Sequence, residues 1–239
     1  MESSTPSFVL TDNSNGQQLA MHHLAHDLRG PLNSVLGFSE LLLDGIEGEL
    51  NEYQQADILA IYQSAQNLLR LINNVVDLSR LEANLLTLTL DSLPLPPILE
   101  DVLAFNFGST KSDTIRLVGN FPSDLPPILG QRDRVQQMIL GLVRFACKTQ
   151  TTQVTLTATP DDEFVTIQVH AGAELLTPQV LTEMFELRVT IDSTGHSKLS
   201  RGGIELPLIR GLAQAHQGEV WAESSAEYGT SLYLKLRRG

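Results

Sequence analysis

The chain has 239 residues, enough for one large domain or two small ones. Its 28 acidic residues against 16 basic ones give a net charge of −12, which argues against a nucleic-acid-binding surface. No run of 18 apolar residues and no secretory signal are present, so we expect no membrane association. The single cysteine, Cys147, excludes an intrachain disulfide framework and favours a cytoplasmic protein.

The first predicted element after a Ser- and Asn-rich flexible tail (residues 1–16) is a long amphipathic helix over residues 17–44. Apolar residues recur along it at steps of three and four, which is typical of a helix packed in a bundle. These seam residues are Met21, Leu24, Leu28, Pro31, Val35, Phe38 and Leu42. His26 lies about 200° around the helix from Leu24, on the opposite side. The other residues on the histidine face are Gly30, Asn33, Gly37 and Glu40.

A histidine on a polar helix face has two simpler interpretations. Most such side chains are only solvated. His22, His23 and His26 could also bind a metal ion, because residues four apart share a helix face. We expect no metal site, since the rest of the sequence offers no second pair of ligands.

A second helix is predicted over residues 52–83, joined to the first by a short loop. Two long helices and a short connection predict an antiparallel hairpin. The hairpin alone cannot bury the apolar faces of both helices. Either two hairpins pair into a dimeric four-helix bundle, or the rest of the chain folds back over the seam. The seam residues of the second helix are Ile58, Ile61, Ala65, Leu68, Ile72 and Val75, with Leu69 and Val76 beside them.

The prolines in Leu93-Pro-Leu-Pro-Pro97 predict a linker over residues 85–96. The region 97–239 then predicts helix, strand, helix, two strands, helix, helix and two strands, in that order. Residues 154–159 and 164–169 alternate apolar and polar side chains, as half-buried strands do. The predicted class is therefore α+β, with a helical hairpin followed by a mixed α/β domain.

Three segments of the hairpin together resemble the phospho-acceptor hairpin of two-component sensor histidine kinases. They are His26-Asp-Leu-Arg-Gly-Pro-Leu-Asn33, Gly37-Phe-Ser-Glu-Leu-Leu42 and Asp77-Leu-Ser-Arg-Leu-Glu82. The element order after residue 97 is similar to the ATP-binding α/β sandwich of the same family.

This resemblance implies a homodimer held by the hairpin and a response regulator receiver domain as partner. It also implies that His26 accepts a phosphoryl group and that Asp27 orients its imidazole. Arg29 would contact the phosphoryl group or the partner. The strip Gly30, Asn33, Gly37 and Glu40 would receive the partner's helix.

The motifs that bind ATP in the family are altered here. Phe145-Ala-Cys-Lys148 stands where Asn-Ala-x-Lys is expected, which removes a metal ligand. His170-Ala-Gly-Ala-Glu174 stands for Asp-x-Gly-x-Gly, and Arg201-Gly-Gly-Ile-Glu-Leu206 for Gly-x-Gly-Leu-Gly-Leu. Only Met184-Phe-Glu-Leu-Arg188 keeps its usual form. The motif positions concerned are Phe145, His170, Gly172, Glu174, Gly203 and Glu205.

Each lost contact costs on the order of 1–3 kcal/mol. Three or four such losses would move a micromolar site beyond millimolar affinity. We therefore expect no cofactor on this chain, and Mg²⁺ supplied by the partner regulator. The leading hypothesis is a dimeric histidine phosphotransferase or pseudo-histidine-kinase of a phosphorelay. The alternatives are an active kinase with divergent motifs and a scaffold that sequesters a regulator or a kinase.

Overall fold

The computed structural model describes residues 13–46, 48–105, 115–148, 152–172, 175–191, 197–199 and 202–239. Side chains are described throughout these ranges except at 13–22, 189–191 and 197–199. The chain divides into two compact units, residues 1–80 and 81–239. The predicted tail falls on residues 1–12, which are outside the described ranges, and on residues 13–16, which are helical.

Helices α1 (Asn13–Leu43) and α2 (Glu52–Glu82) form the hairpin. The connection uses Gly45 at a φ of +71°, which glycine adopts without strain. Asn51 then caps α2. The Gln54 N–H donates to Asn51 Oδ1 at 2.9 Å, and the Asn51 N–H donates to Gln54 Oε1 at 3.0 Å. This reciprocal pair fixes the start of α2 at the predicted residue.

Much of the predicted seam of α1 stays exposed in the single chain. Leu24, Leu28, Val35 and Phe38 keep 56%, 40%, 40% and 67% of their surface exposed. Much of the surface of Ile61 and Leu68 on α2 is exposed as well. Three of the buried side chains of the hairpin are polar and three are apolar, and two of the apolar ones belong to the predicted face of α2. The polar ones are Ser39, Asn74 and Asp77, and the apolar ones are Ala25, Ala65 and Val76. The single chain therefore leaves a broad apolar surface uncovered in its hairpin.

The predicted linker over residues 85–96 is wrong in part. Asp91–Leu93 form strand β1, which pairs antiparallel with β3 (Ile128–Gly130). Helix α3 (Leu95–Ala104) starts directly afterwards, and Leu95 is fully buried. The prolines do not break the helix, because they lie in its first turn, where a missing N–H costs no hydrogen bond.

The second unit contains one five-stranded mixed sheet. Its remaining strands and helices are β2 (Arg116–Asn120), α4 (Arg132–Cys147), β4 (Gln153–Pro160), β5 (Phe164–His170), α5 (Pro178–Glu183), β6 (Val189–Ile191), β7 (Ser197–Leu199), α6 (Glu205–Ala215), β8 (Glu219–Ser225) and β9 (Gly229–Arg237). The strand order is β2-β4-β5-β9-β8. The β2–β4 pair is parallel and the other pairs are antiparallel. Strands β6 and β7 form a separate antiparallel pair.

The sheet has one apolar and one polar face, as the alternation predicted. Val154 and Leu156 on β4 and Val165 and Ile167 on β5 are fully buried, in one core with α3, α4 and α6. The intervening side chains, such as Gln168, lie on the opposite face. The predicted α+β class is thereby confirmed as a helical hairpin followed by an α/β domain. No helix in the described ranges is long and apolar enough to cross a membrane.

Candidate functional site

His26 lies in the middle of α1 with 78% of its side chain exposed. Its Nδ1 is 3.4 Å from Oδ1 of Asp27, whose side chain is 79% exposed. When Nδ1 carries the proton, it donates to this carboxylate and Nε2 keeps its lone pair. The arrangement presents an accessible imidazole nitrogen that can act as a nucleophile.

Arg29 is held by the second helix of the hairpin. Its Nε and Nη2 both donate to Oδ1 of Asn73 on α2, at 3.1 and 2.8 Å. The sequence predicted a contact to a phosphoryl group or a partner instead. The observed bonds link α1 to α2 about one helical turn from His26, so they orient the helix that carries the histidine. Asn73 was missed, although an asparagine next to the apolar seam of α2 is a signal for such a partner.

The strip beside His26 is open. Gly30, Asn33 and Glu40 are exposed, and Gly37 is half-buried. Apart from its chain neighbours and the backbone of its own helix, a Cβ added to Gly30 or Gly37 would meet no atom within 4 Å in the described part of the chain. The packing of the hairpin itself therefore does not require glycine at these positions. The strip is accessible, and its role as a surface that receives another helix stays a prediction.

In the second unit, Phe145 on α4 stands at the position of the expected metal ligand. Its side chain is part of the hydrophobic core and is only 6% exposed. A benzyl ring has no oxygen to offer a cation. Burial raises the pKa of the nearby Cys147 thiol, which is the behaviour of a cysteine in apolar surroundings.

The assignment of His170 to the base-reading position is wrong. Ala171 is fully buried, together with Val169, on the sheet face that α4 and α6 cover. His170 points to the opposite face, where its Nδ1 lies 3.1 Å from Ser231 Oγ. Phe145 and Glu205, which belong to two other altered motifs, lie on α4 and α6. Because Ala171 lies on the sheet face that these two helices cover, its methyl group takes the place of the family's aspartate. A shift of one residue changes the face of a strand, and the glycine pattern alone did not fix that register.

The corrected register places Ala171, Ala173 and Leu175 at the aspartate and the two glycines of this motif. Gly172 has a φ of +83°, and its carbonyl oxygen accepts a hydrogen bond from the Thr230 N–H at 2.9 Å. It therefore serves the turn after β5. Glu174 lies outside the described residues.

Gly203 and Glu205 lie where α6 begins. Gly203 has a φ of +58°, so the turn keeps a backbone conformation that favours glycine. Glu205 is the first residue of α6, and its Oε1 is 3.4 Å from Nη1 of Arg144 on α4. The side chains of Met184 and Phe185, in the fourth motif, are buried in the core.

These residues do not fit the nucleotide and Mg²⁺ that the fold would otherwise hold. A methyl group replaces the base-reading carboxylate, an aromatic ring replaces the metal ligand, and Glu205 adds a negative charge next to the glycine turn. Elsewhere in the described ranges, no three His, Cys, Asp or Glu side chains come close enough to hold a metal ion. The alternative metal site at His22, His23 and His26 includes His22, whose side chain is outside the described set.

Residues 17–84 match the family model of the His Kinase A (phospho-acceptor) domain. Residues 130–239 match the model of the histidine kinase-, DNA gyrase B- and HSP90-like ATPase. The chain belongs to the two-component sensor histidine kinase family. The resemblance found in the sequence is thereby confirmed at the level of the family.

Among known proteins, the chain is 30% identical over 217 residues to the sensor protein TorS of Escherichia coli K12. The match covers 89% of this chain and 23% of TorS, so the chain spans about a quarter of that relative. The structure of full-length ShkA in complex with AMPPNP matches with a TM-score of 0.66 and 25% identity, over 93% of this chain and 46% of ShkA. Histidine kinase ThkA in complex with response regulator TrrA matches with a TM-score of 0.56, over 91% of this chain and 60% of that one. Its 17% identity supports the fold alone.

Proposed function

We propose that the chain is a homodimeric histidine phosphotransfer protein that exchanges a phosphoryl group with a response regulator through His26. The observation that carries the proposal is the exposed His26 imidazole with Asp27 at its Nδ1. The phosphoryl group comes from the regulator and not from ATP, so the ATPase-like domain serves as a structural part of the dimer.

The proposed phosphoryl transfer requires one nucleophilic nitrogen on this chain, Nε2 of His26. Nε2 attacks the phosphorus of an aspartyl phosphate on the regulator, so that an N–P bond forms as the O–P bond breaks. The regulator's aspartate leaves as a carboxylate. Asp27 accepts the hydrogen bond of the Nδ1 proton and so stabilises the positive charge that develops on the ring. The cation that neutralises the phosphoryl oxygens belongs to the regulator's acidic site.

The regulator docks along the strip that carries Gly30, Asn33, Gly37 and Glu40. Small side chains on an exposed helix face allow a second helix to lie close to it. In the complex of ThkA with TrrA, a protein of the same fold binds a response regulator, and this is the class of partner that we propose here. In this role Arg29, bound to Asn73, keeps the strip and His26 in a fixed orientation.

The homodimer follows from the apolar surface that one hairpin leaves open. Leu24, Leu28, Val35 and Phe38 on α1 and Ile61 and Leu68 on α2 each keep 40–67% of their surface exposed. Val35, Ile61 and Leu68 also line one shallow hollow with Ala60, Ser64 and Ala65. A second hairpin that packs on this surface completes a four-helix bundle, while His26 stays on the opposite side of α1.

An ATP-dependent kinase is the second candidate function, and ShkA, whose structure holds AMPPNP, favours it. The side chains at the altered motif positions on α4, on α6 and after β5 (together called the cleft) oppose it in this chain. Ala171 cannot accept a hydrogen bond from a base, and Phe145 cannot bind a cation. Glu205 repels a phosphate. A scaffold that binds a regulator without phosphotransfer is the remaining alternative.

Phosphotransfer from radiolabelled, phosphorylated receiver domains tests the proposal. Wild type should become labelled with the acid-labile bond of a phosphohistidine, and His26→Gln should not. His23→Gln is the matched control, because His23 is an exposed histidine on the same helix, and this variant should be labelled like wild type. Labelling of wild type by ATP alone would establish the kinase. Receiver binding without any labelling would establish the scaffold.

A further inference from the structure

An ion pair connects α4 to α6 at the glycine turn. Arg144 Nη1 lies 3.4 Å from Glu205 Oε1, and the two side chains are only 21% and 14% exposed. Arg144 also lies over the ring of Phe105, with its guanidinium carbon 5.3 Å from the ring centroid. The guanidinium is thus held by an aromatic face and a carboxylate, which together fix its position.

The neighbouring helix makes room for the carboxylate. A Cβ added to Gly141 on α4 would lie 2.6 Å from Ile209 Cδ1, 3.2 Å from Glu205 Cγ and 3.5 Å from Glu205 Oε1. Any larger residue at 141 would displace Ile209 or the Glu205 side chain. Glu205 is therefore built into the α4–α6 contact and is not an isolated charge at the end of a loop.

A negatively charged ligand would have to compete with this carboxylate. It would need the Arg144 cation that Glu205 already engages, and it would meet the Glu205 charge in a place with little solvent screening. Separating the pair would leave two charges unpaired in a place with little solvent, which is unfavourable.

We propose that Glu205 is an internal ligand of Arg144: its carboxylate takes the place of a phosphate beside the glycine turn at the start of α6, and it thereby excludes phosphoanions. The inference deepens the proposed function and rests on it, since it explains how α4 and α6 are held together without a nucleotide. The proposal gives a role to two residues outside the four motif segments compared above. Arg144 pairs with Glu205, and Gly141 leaves room for the Glu205 side chain.

Inorganic pyrophosphate is the probe for exclusion, with the full chain and thermal unfolding as the assay. In millimolar pyrophosphate we expect the melting temperature of Glu205→Gly to rise by about 3 °C or more, because a bound anion stabilises only the folded state. Wild type and the double variant Glu205→Gly/Arg144→Met should not shift. An equal shift in wild type, or a shift that survives the loss of Arg144, would overturn the proposal. So would the absence of a shift in every variant.

A second measurement needs no ligand and uses Glu205→Gln, which keeps the size of the side chain if the glycine variant does not fold. The melting-temperature losses of Glu205→Gln and Arg144→Met should be clearly non-additive in the double variant. The exposed pair Arg132–Asp101, at 2.7 Å in the same unit, is the matched control. Arg132→Met and Asp101→Asn should each cost about 1 °C or less and should add. Additive losses for Arg144 and Glu205 would refute the internal ligand.

The two proposals fail separately. Transfer of phosphate from ATP to His26 in wild type would contradict the proposed function, whatever the coupling between Arg144 and Glu205. Additive losses at Arg144 and Glu205 would refute the internal ligand and leave phosphotransfer from a regulator untouched.

Discussion

The face of α1 around His26 and the cleft between α4 and α6 differ in what they keep from their family. The His26 face keeps its reactive residue exposed, its carboxylate neighbour in place and its surroundings small and polar. The cleft keeps its backbone, including the positive φ of Gly203, but has apolar or acidic side chains where ligand-binding groups are expected. The sheet and core can therefore form although these side chains differ from the family pattern, because the sheet and core depend on other residues.

The largest expected effect is the loss of phosphoryl transfer to the protein when His26 is replaced. His26→Ala should reduce labelling by a phosphorylated receiver at least about 100-fold, since no other group replaces the nucleophile. Glu40→Gln, at the far end of the strip, should change the rate far less. Equal labelling of wild type and His26→Ala, measured by initial rates, would show that the exposed face is not the acceptor.

The next effect concerns the apolar surface of the hairpin. Leu68→Glu places a charge in the proposed dimer contact, at a cost of several kcal/mol, so the dimer should dissociate at micromolar concentration. Leu85→Glu is the control, since Leu85 is an exposed leucine outside the predicted hairpin. Light scattering measures both variants. A wild-type chain that is monomeric at these concentrations would remove the four-helix bundle from the proposal.

A smaller effect tests the corrected register of the cleft. Ala171→Asp puts a carboxylate at a fully buried position and should lower the free energy of unfolding by about 3 kcal/mol. His170→Asp, on the opposite face, loses only the bond to Ser231 and should cost about 1 kcal/mol. Chemical denaturation compares the two variants. A larger loss at His170 than at Ala171 would favour the uncorrected register.

The link between Arg29 and Asn73 tests whether the His26 face depends on the second helix. Asn73→Ala removes the acceptor of both guanidinium bonds and should cost about 1.5–3 kcal/mol of stability. Phosphotransfer should slow while receiver binding is retained, because His26 remains but its helix is less fixed. Asn73→Asp should restore the rate, and a rate unaffected by Asn73→Ala would mean that Arg29 does not orient the face.

The smallest expected effect is the pH dependence of the stability of the second unit. Burial lowers the pKa of His216, whose Nδ1 donates to the Leu212 carbonyl oxygen at 2.7 Å while Nε2 accepts from the Gln131 N–H at 3.2 Å. The unfolded chain binds a proton near pH 6.5 and the folded chain does so only at lower pH, so stability falls as pH drops below about 6.5. We expect the melting temperature to decrease by about 2–4 °C between pH 7 and pH 5. His216→Gln should show a weaker pH dependence, and an unchanged one would contradict this assignment.

Much of the fold could be predicted because its signals are local and repeated. The three-and-four spacing gave both long helices, and the period-two alternation gave β4 and β5. Strand β1 was missed because three residues directly before a proline are too few to show a periodicity, and its pairing with β3 is a tertiary contact. The proline pattern predicts a break between helices, but in the first turn of α3 proline is well tolerated.

The site was predictable only where a motif is contiguous. His26 and Asp27 are neighbours in sequence, so a pattern could find them. Arg29 and Asn73 are 44 residues apart, and Arg144 and Glu205 are 61 apart, so each pair becomes visible only in three dimensions. The glycine pattern places His170 at the aspartate position, because the pattern does not say which face of the sheet each side chain occupies. The burial of Ala171 shows that Ala171 lies on the face covered by the helices.

The stack of Trp221 on Tyr233 gives the protein a built-in optical reporter. The rings are 4.9 Å apart and 8° from parallel, and Trp221 is the only tryptophan of the chain. Its emission therefore records the second unit alone, whereas far-ultraviolet circular dichroism is dominated by the two 31-residue helices of the hairpin. Melting curves recorded with the two signals should separate if the hairpin and the sheet domain unfold independently, and coincide if they unfold as one.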